Sequence, residues 1–408
     1  MKMDTNVVIA GGGLNGAALA LALAGAGLSV TIVDPAAAKA RMREGFDGRS
    51  YALAIASQRV LGGLGLWQDL QKDGQPILEI KVSDGRAGEG PSPFVLEFDH
   101  AELEEGPMGS MVEDRHLRPA LLAALEAESR ISRIDGVSLT DHVAADGSVS
   151  VTLSNGQVLT ASCLVAADGR ESPTRLRAGI GRVAWSYGQT ALVCAIEHEL
   201  PHHGIAHQFF MPAGPLAVLP LKGNRCSIVW TERTGAAEEI NALDDAGYLD
   251  VLRPRFGSFL GQISLAGARF TYPLGLSLAH AFVAPRLALL GDAAHAVHPI
   301  AGQGLNAGLR DVAALAEVLA DAHRRGEDIG RPEVLMRYQL WRRFDATALA
   351  IATDGFNRLF SNDNSFLRLG RDLGLGLVNH APALRRGFMR EAAGLTGTLP
   401  RLAEGRPL

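Results

Sequence analysis

One stretch of the chain, from Gly291 to Asp311, carries residue types that could hold a large polar cofactor. It reads Gly-Asp-Ala-Ala-His-Ala-Val-His-Pro-Ile-Ala-Gly-Gln-Gly-Leu-Asn-Ala-Gly-Leu-Arg-Asp and lies between a strand-like and a helix-like segment. Asp292 could accept a hydrogen bond from a sugar hydroxyl, and the glycines would let the backbone approach a flat ring. A helix start adds unpaired N–H groups and a positive dipole end. The stretch therefore predicts a turn, a loop and a helix start that bind a cofactor.

A second cofactor signature follows the first predicted strand. Gly11, Gly13 and Gly16 form a Gly-x-Gly-x-x-Gly pattern ahead of a helix rich in Ala and Leu, and Asp34 ends the next predicted strand. Such glycines permit a tight turn and close packing of the backbone on a pyrophosphate, and the acid would hold a ribose hydroxyl. This segment predicts a dinucleotide site, and by itself it does not separate FAD from NAD.

A third candidate contact is an Asp-Gly turn that follows a strand-like apolar run. The pair is Asp168 and Gly169, and Ser172 and Arg175 come shortly after it. An Asp-Gly pair also occurs in ordinary turns. The preceding strand and the Ser and Arg spacing favour a loop that contacts the cofactor.

Together these segments resemble the flavin-contact motifs of the class A FAD-dependent aromatic hydroxylases. The run from His298 to Asp311 resembles the signature of the ubiquinone-biosynthesis branch of that family. The resemblance implies an α/β fold like that of para-hydroxybenzoate hydroxylase. In such a fold, a Rossmann-like FAD-binding domain carries an inserted β-sheet substrate domain and a helical C-terminal region.

The apolar pattern along the chain agrees with that organisation and gives its boundaries. We assign a discontinuous FAD-binding domain to residues 1–75, 99–180 and 276–330. Strand-like alternation assigns a β-rich substrate domain to residues 76–98 and 181–275. Residues 331–408 are largely helical by the same criteria.

The resemblance also implies roles for individual residues. The N–H groups of Gly304, Leu305 and Asn306 would face the flavin N1 and C2 oxygen, and Pro299 would lie beside the reactive edge. Arg49 has two open interpretations, a contact near the flavin phosphates or a solvated loop charge. The expected cofactor-binding residues are Gly11, Gly13, Gly16, Asp34, Arg49, Arg115, Asp168, Gly169, Gly291, Asp292, Gly302, Gln303, Gly304, Leu305 and Asn306.

The activity implied by the resemblance is ring hydroxylation of a polyprenyl phenol. NADH or NADPH reduces bound FAD, and the reduced flavin reacts with O2 to give a hydroperoxide that attacks an electron-rich phenol carbon. Three alternatives stay open at this point. They are a hydroxylase of a soluble aromatic compound, a flavoprotein reductase that does not hydroxylate, and a flavin-binding scaffold within a biosynthetic complex.

Composition narrows the class of protein further. The chain has 408 residues and a net charge of -5 without a long Lys/Arg cluster, which disfavours nucleic-acid binding. Its cysteines, Cys163, Cys194 and Cys226, form no Cys-x-x-Cys pair and fit a reducing cytosol. His295 and His298 lie close to Asp292, but we expect no metal there because no further ligand cluster is evident.

Two segments raise the question of membrane contact. The uncharged run between Asp4 and Asp34 is interrupted by glycines and indicates a soluble β-α-β unit rather than a membrane span. Residues 366–408 hold seven Arg and three acids together with apolar positions. This tail is compatible with a basic helix on anionic lipid or with an ordinary solvated helix. We expect a cytoplasmic protein, with peripheral binding to the inner face of the membrane as the open alternative.

Overall fold

The computed structural model describes residues 3–37, 40, 45–88, 90–298, 302–360, 378 and 381–408. Within these ranges, no helix combines the length and the apolar character needed to span a bilayer. The strands, in chain order, are β1 (Thr5–Ala10), β2 (Val30–Asp34), β3 (Ser50–Ala54), β4 (Gln75–Ile77), β5 (Glu79–Arg86), β6 (Gly90–Asp99), β7 (Gly109–Glu113), β8 (Ile131–Asp135), β9 (Leu139–Ala145), β10 (Ser148–Leu153), β11 (Val158–Ala166), β12 (Arg182–His198), β13 (Ile205–Met211), β14 (Gly214–Leu221), β15 (Arg225–Arg233), β16 (Ile263–Ala279), β17 (Val283–Ala284), β18 (Leu287–Leu289) and β19 (His295–Ala296).

Helices cover the sheets and supply the ends at which the predicted motifs lie. The helices are α1 (Leu14–Gly25), α2 (Ile55–Gly63), α3 (Trp67–Leu70), α4 (Asp114–Ala127), α5 (Pro173–Arg177), α6 (Thr234–Ala242), α7 (Asp245–Phe256), α8 (Gln303–Arg324), α9 (Pro332–Phe360) and α10 (Pro382–Ala392). Short 3-10 helices occupy His100–Glu102, Gly291–Ala293 and Arg401–Glu404.

β1 lies inside the first sheet because it is apolar on both faces. The strand order is β17-β18-β11-β1-β2-β8, and neighbouring strands from β18 to β8 run parallel. Val7, Val8 and Ile9 are fully buried, as expected for a parallel strand with helices on both sides. Side chains of α1, α4 and α8 belong to the same core, and the β9–β10 hairpin extends this sheet from β11.

The carboxyl ends of β1, β11 and β18 meet at one edge of this sheet. Ala10 is paired in register with Ala166, and Ala166 is paired with Leu289. Just beyond these pairs, Ala167 N donates to Ala10 O at 2.8 Å and Leu290 N donates to Ala166 O at 2.9 Å. The three predicted cofactor motifs therefore begin side by side, although they are far apart in sequence. Ligands of open α/β sheets bind at such an edge.

The second sheet is largely antiparallel and has the order β19-β16-β12-β15-β14-β13-β5-β6. One face packs against α6 and α7, where Trp230 and Tyr248 are completely buried. These two helices were not anticipated within the β-rich region. β19 pairs with β16 and follows directly on the Gly291–Ala293 turn, so the second sheet is joined to the cofactor edge of the first.

The third sheet is small and connects the other two. Its order is β3-β7-β4, and β7 leads directly into α4. Two long helices, α8 and α9, pack against each other. α9 also contacts β14 and β16 of the second sheet, so the C-terminal helices bridge both large sheets.

Candidate cofactor site

The glycine loop after β1 contains two positions that cannot carry a side chain and one that faces open space. A Cβ on Gly11, whose φ is +105°, would lie 2.3 Å from Ala167 O, and a Cβ on Gly16 would lie 2.0 Å from Gly11 O. No atom of the described residues lies within 4 Å of a Cβ built on Gly13. Gly11 and Gly16 thus hold the loop shape, while Gly13 leaves room for a ligand next to the backbone.

Asp34 is fixed against this loop by backbone amides. Its carboxylate accepts from Gly12 N at 2.6 Å and from Ala36 N at 2.8 Å, and the side chain is buried. The predicted sugar-binding acid therefore lies beside the glycine loop in a defined orientation.

A groove beside Asp34 and Gly13 is lined by two arginines that the sequence did not identify, Arg118 and Arg133. Asp114 accepts two hydrogen bonds from Arg118, at 3.0 and 2.8 Å. A cationic side chain held in this way suits the phosphate part of a dinucleotide. The only feature of the sequence that could have indicated Arg118 is its position on α4, one helical turn after the predicted Arg115.

Arg115 itself lies in another environment. It donates to Glu113 at 2.6 Å and its guanidinium stands 5.6 Å from the centre of the Phe46 ring. Glu113 also pairs with Arg225 of β15 at 3.0 Å. The structure thus places Arg115 at the contact between α4 and the second sheet, and places Arg118 at the groove.

Arg49 is held by acids at the start of the third sheet. It donates to Asp47 at 2.9 and 2.7 Å and lies 3.3 Å from Asp114. Its guanidinium is 5.9 Å from the centre of the Phe270 ring in the second sheet. Arg49 is therefore a paired cation between two sheets, and it shares Asp114 with Arg118.

Asp168 shapes the second loop at the cofactor edge. It accepts hydrogen bonds from the Ser172 hydroxyl and from Thr174 N, the latter at 3.0 Å. Ser172 in turn caps α5 by accepting from Arg175 N at 3.0 Å. Gly169 has φ +86°, and a Cβ there would meet no described atom within 4 Å. The loop is thus rigid at Asp168 and open at Gly169.

Arg175 connects this second loop to the third. It is buried, and its Nη1 donates to Arg170 O at 2.9 Å and to Ala293 O at 3.3 Å. The Asp-Gly turn and the Gly291–Ala293 turn are therefore held together by one side chain.

Asp311 is the centre of the third loop. This fully buried carboxylate accepts from Gly291 N at 3.1 Å, from His295 Nε2 at 2.6 Å and from Arg342 Nε at 2.9 Å. Burial by itself would raise the pKa of Asp311, but His295 and Arg342 lower it to about 2. The charge of Asp311 therefore joins α8, α9 and the turn that carries Asp292.

Asp292 lies at the surface of a recess, where its side chain is accessible to solvent. Desolvation by the surrounding protein raises its pKa, and His295 partly opposes that shift. A carboxylate in this position can accept a hydrogen bond from a ligand hydroxyl, which agrees with its predicted role.

The start of α8 is positioned by Asn306. Its Oδ1 accepts from Ala54 N at 2.9 Å and from Ser57 Oγ at 2.7 Å, while its Nδ2 donates to Ala52 O at 2.8 Å and to Gly302 O at 3.0 Å. The Asn306 side chain thus uses its hydrogen-bonding groups to join α8 to β3 and α2. Its own N–H lies four residues after the N-cap Gly302 and meets the first intrahelical acceptor, so the N–H groups of α8 that lack such an acceptor are those up to Leu305.

The residues around that first turn leave room for a ligand. Gly302 adopts a left-handed conformation with φ 64° immediately before α8. A Cβ on Gly304 would meet no described atom within 4 Å. Gln303 is buried, whereas Leu305 is partly buried. Pro299, the residue predicted beside the reactive edge, lies outside the described residues.

Asn15 is a further residue that sequence reasoning missed. Its side chain fills a notch between α1 and α8, since a Cβ on Gly291 or Gly308 would lie 2.6 or 2.2 Å from its Nδ2. Its Oδ1 is buried and has no hydrogen-bond partner in the structure as described. A buried oxygen without a donor is a natural ligand contact. Its only sequence signal was its place inside the glycine pattern.

The described residues contain no group of three or more His, Cys, Asp or Glu side chains that could hold an ion. His295 is bonded to Asp311, and the three cysteines are buried and free.

Comparison with known proteins shows which cofactor the family of this chain binds. Residues 4–351 match the family described as FAD binding domain. The chain belongs to this family. This match, with the relatives and the solved structure described next, confirms the predicted resemblance to class A flavin hydroxylases. The open space beside Gly13, Gly169 and Gly304 and the unpartnered Asn15 oxygen are compatible with FAD.

Relatives match this FAD-binding chain from end to end. It is 46% identical to a protein of Rhodospirillum rubrum named ubiquinone hydroxylase UbiL, over 99% of this chain and 93% of the relative. It is 36% identical to the 3-demethoxyubiquinol 3-hydroxylase of Escherichia coli, over 97% of this chain and all of the relative (100%). The crystal structure of p-nitrophenol 4-monooxygenase PnpA from Pseudomonas putida superposes with a TM-score of 0.80 at 21% identity, covering 97% of this chain and 99% of that one. This structure confirms the predicted fold.

The glycine loop gives a first test. We expect Gly16→Ala to abolish FAD retention, because its Cβ would collide with Gly11 O. Gly25→Ala, in the same helix, has free space and should keep full FAD content and fold stability. The measurement is the ratio of absorbance at the flavin band to protein absorbance after purification. Normal flavin content in Gly16→Ala would contradict this packing.

The hydrogen bonds of Asp311 give a second test, which measures the stability of the folded protein. Asp311→Asn should lower the free energy of unfolding by about 3 kcal/mol, because it leaves Arg342 and His295 without their buried anion. The control is Asp345→Asn, which removes the half-exposed second partner of Arg342 and should cost less than about 1 kcal/mol.

The same pair of variants has a defined pH dependence. The pKa of Asp311 is about 2 in the folded protein and about 3.9 when unfolded. The advantage of wild type over Asp311→Asn should be complete above about pH 4 and shrink as the pH falls towards 2. Urea unfolding between pH 2.5 and 7 measures it, and a constant difference across that range would refute the role of this charge.

Proposed function

We propose that this protein hydroxylates the aromatic ring of a polyprenyl phenol in ubiquinone biosynthesis, using O2 and NADH or NADPH. The observation that carries the proposal is the end-to-end similarity to proteins named ubiquinone hydroxylases, in a chain whose cofactor loops converge at one sheet edge. When bound, FAD supplies the oxygen-activating chemistry. The division into FAD-binding, substrate and C-terminal regions predicted from the sequence is part of this proposal.

The protein's own contribution is to place and polarise the cofactor. The first-turn N–H groups of Gly304 and Leu305 would stabilise negative charge on the flavin ring, with Asn306 holding that turn in place. Asp168, Gly169 and Asp292 would contact its diphosphate and sugar part. Pro299 would help to exclude water from the reacting edge.

The proposed substrate site is a cleft of about 340 Å³ on the second sheet. The side chain of Gln189, which lines the cleft, donates a hydrogen bond to Ala213 O at 2.7 Å and accepts one from Asn357 of α9 at 3.0 Å. The cleft therefore lies where β12, the β13–β14 turn and α9 meet. Its lining residues are Tyr187, Gly188, Gln189, Pro212, Ala213, Arg233, Thr234 and Gly235.

Turnover with defined substrates tests this function. Purified holoenzyme should oxidise NADH or NADPH faster in the presence of a short-chain prenyl phenol and yield a ring-hydroxylated product by mass spectrometry. Gly16→Ala should yield none. Stimulation only by water-soluble aromatic acids would support the alternative hydroxylase, and oxidation without a new hydroxyl group would support a reductase.

We also propose that the substrate is taken from a membrane surface. α9 exposes Leu340, Phe344 and Ile351, with 73%, 78% and 69% of their surface accessible. Their spacing of four and seven places them on one face of the helix. Arg343 lies exposed next to this stripe, as does the half-exposed Asp345 that pairs with Arg342, so the face combines apolar side chains with the charge of Arg343 at its border.

A second, shorter helix carries the same combination. α10 exposes Leu384 and Phe388 together with Arg386 and Arg390. Most of the tail before Pro382, for which lipid binding was one of two open interpretations, lies outside the described residues. The proposal therefore rests on α9 and α10.

Liposome co-sedimentation tests the membrane proposal. Leu340→Glu combined with Phe344→Glu should weaken binding to vesicles rich in phosphatidylglycerol by about tenfold or more, since each side chain would otherwise bury its apolar surface. The control is Val143→Glu combined with Val158→Glu, which alters exposed apolar residues of the first sheet and should bind like wild type. Equal binding by all three proteins would exclude this face.

A further inference from the structure

A cluster of polar atoms without partners lies next to the proposed substrate cleft. Within the described part of the chain, both ring nitrogens of His298 are buried and make no hydrogen bond, and the buried Tyr187 hydroxyl and Asp354 Oδ1 lie close to each other without ordinary hydrogen-bond geometry. Buried polar groups are nearly always satisfied, and each one that is not lowers stability. Four such atoms close together indicate a place where a polar ligand completes the hydrogen bonds.

His298 is the most deeply buried of the three residues, and Tyr187 and Asp354 are partly buried. His298 is fully buried, and the Tyr187 ring meets it edge-on at 5.4 Å between centroids. Burial raises the pKa of Tyr187 most, and Asp354 raises it further through its hydrogen-bonding contact with the Tyr187 hydroxyl and through its charge. The other oxygen of Asp354 accepts from Arg358 at 2.9 Å. The cluster is built from three elements: the segment after β19, β12 and α9.

The surroundings of the cluster are apolar and leave His298 uncharged. Leu276, Val297 and Ala350 form a small buried group, and Tyr187 packs against it. Burial lowers the pKa of His298 to about 4. At neutral pH its ring therefore offers one donor and one acceptor, neither of which is in use.

Tyr187 also lines the cleft, at an irregular point of its strand. The register between β12 and β16 shifts between Ser186 and Gln189, and Gly188 has φ +65°. The side chain of Tyr187 is partly exposed, although its hydroxyl is buried.

We propose that Tyr187, His298 and Asp354 form a subsite that binds the ring hydroxyl of the substrate. Tyr187 contacts the phenol oxygen in the cleft, and His298 and Asp354 position Tyr187 from behind. A phenol both donates and accepts a hydrogen bond, which matches the unused groups of the cluster. This inference rests on the proposed function, since it takes a phenol as the substrate class.

The test compares a phenol with its methyl ether, which cannot donate. The probes are 2-geranylphenol and 2-geranylanisole, titrated into FAD-loaded protein by calorimetry without reduced nicotinamide. Wild type should bind the phenol about tenfold more tightly than the ether. Tyr187→Phe and His298→Phe should reduce that ratio to within about twofold, because they keep an aromatic ring but remove the polar atoms.

Matched controls separate recognition from general packing. Tyr248→Phe removes another buried hydroxyl, which lies 3.8 Å from Cys194 Sγ. His207→Phe replaces another histidine that packs on an aromatic ring, Phe209. Both controls should keep the wild-type ratio. If His298→Phe does not retain FAD, the subsite is tested by Tyr187→Phe and Asp354→Asn instead, which should lower the same ratio of phenol to ether affinity.

The possible outcomes separate this subsite from the proposed function. A wild-type protein that binds phenol and ether equally or binds neither, or a Tyr187→Phe variant that keeps the full ratio, overturns the subsite. Failure of the proposed function appears elsewhere, as the lack of hydroxylated product when NAD(P)H and O2 are supplied. The protein could also yield no hydroxylated product while the variants still lower the ratio of phenol to ether affinity. That result would support the hydroxyl-binding subsite and contradict the hydroxylase proposal.

Discussion

The cofactor edge depends on one buried charge, the carboxylate of Asp311. It accepts hydrogen bonds from Gly291 N of the turn that carries Asp292, from His295 of β19 and from Arg342 of α9 at the same time. A buried anion is tolerated only when its partners surround it, so these four groups must keep their positions together. Helix α8, the turn that carries Asp292 and helix α9 are thereby fixed relative to one another.

Other contacts extend this unit to the remaining loops. Arg175 ties the Asp168 turn to Ala293, and Asn15 fills the notch between Gly291 and Gly308. Each contact joins segments that are distant in sequence but adjacent at the carboxyl edge of the parallel sheet. Because β19 also pairs with β16, the sheet that lines the proposed substrate cleft is joined to the segment that leads to the start of α8.

Sequence reasoning succeeded where a local pattern has a local cause. Gly11, Gly16 and Asp168 occupy the turns expected of them, because backbone crowding and turn chemistry act over a few residues. It did not separate Arg115 from Arg118, since side-chain direction on α4 is set by the packing of the helix. It could not reveal that Asn306 uses its side chain for structure, or that Tyr187 meets His298, because tertiary folding creates those contacts.

The account stands on the claim that three distant segments bind one FAD molecule. The most direct measurement is a crystal structure of the FAD-loaded protein. We expect the diphosphate between Gly13 and the Asp168 turn, and the ring edge against the first-turn amides of α8. Density for FAD away from the glycine loop, or a nicotinamide dinucleotide occupying that loop instead, would contradict the account.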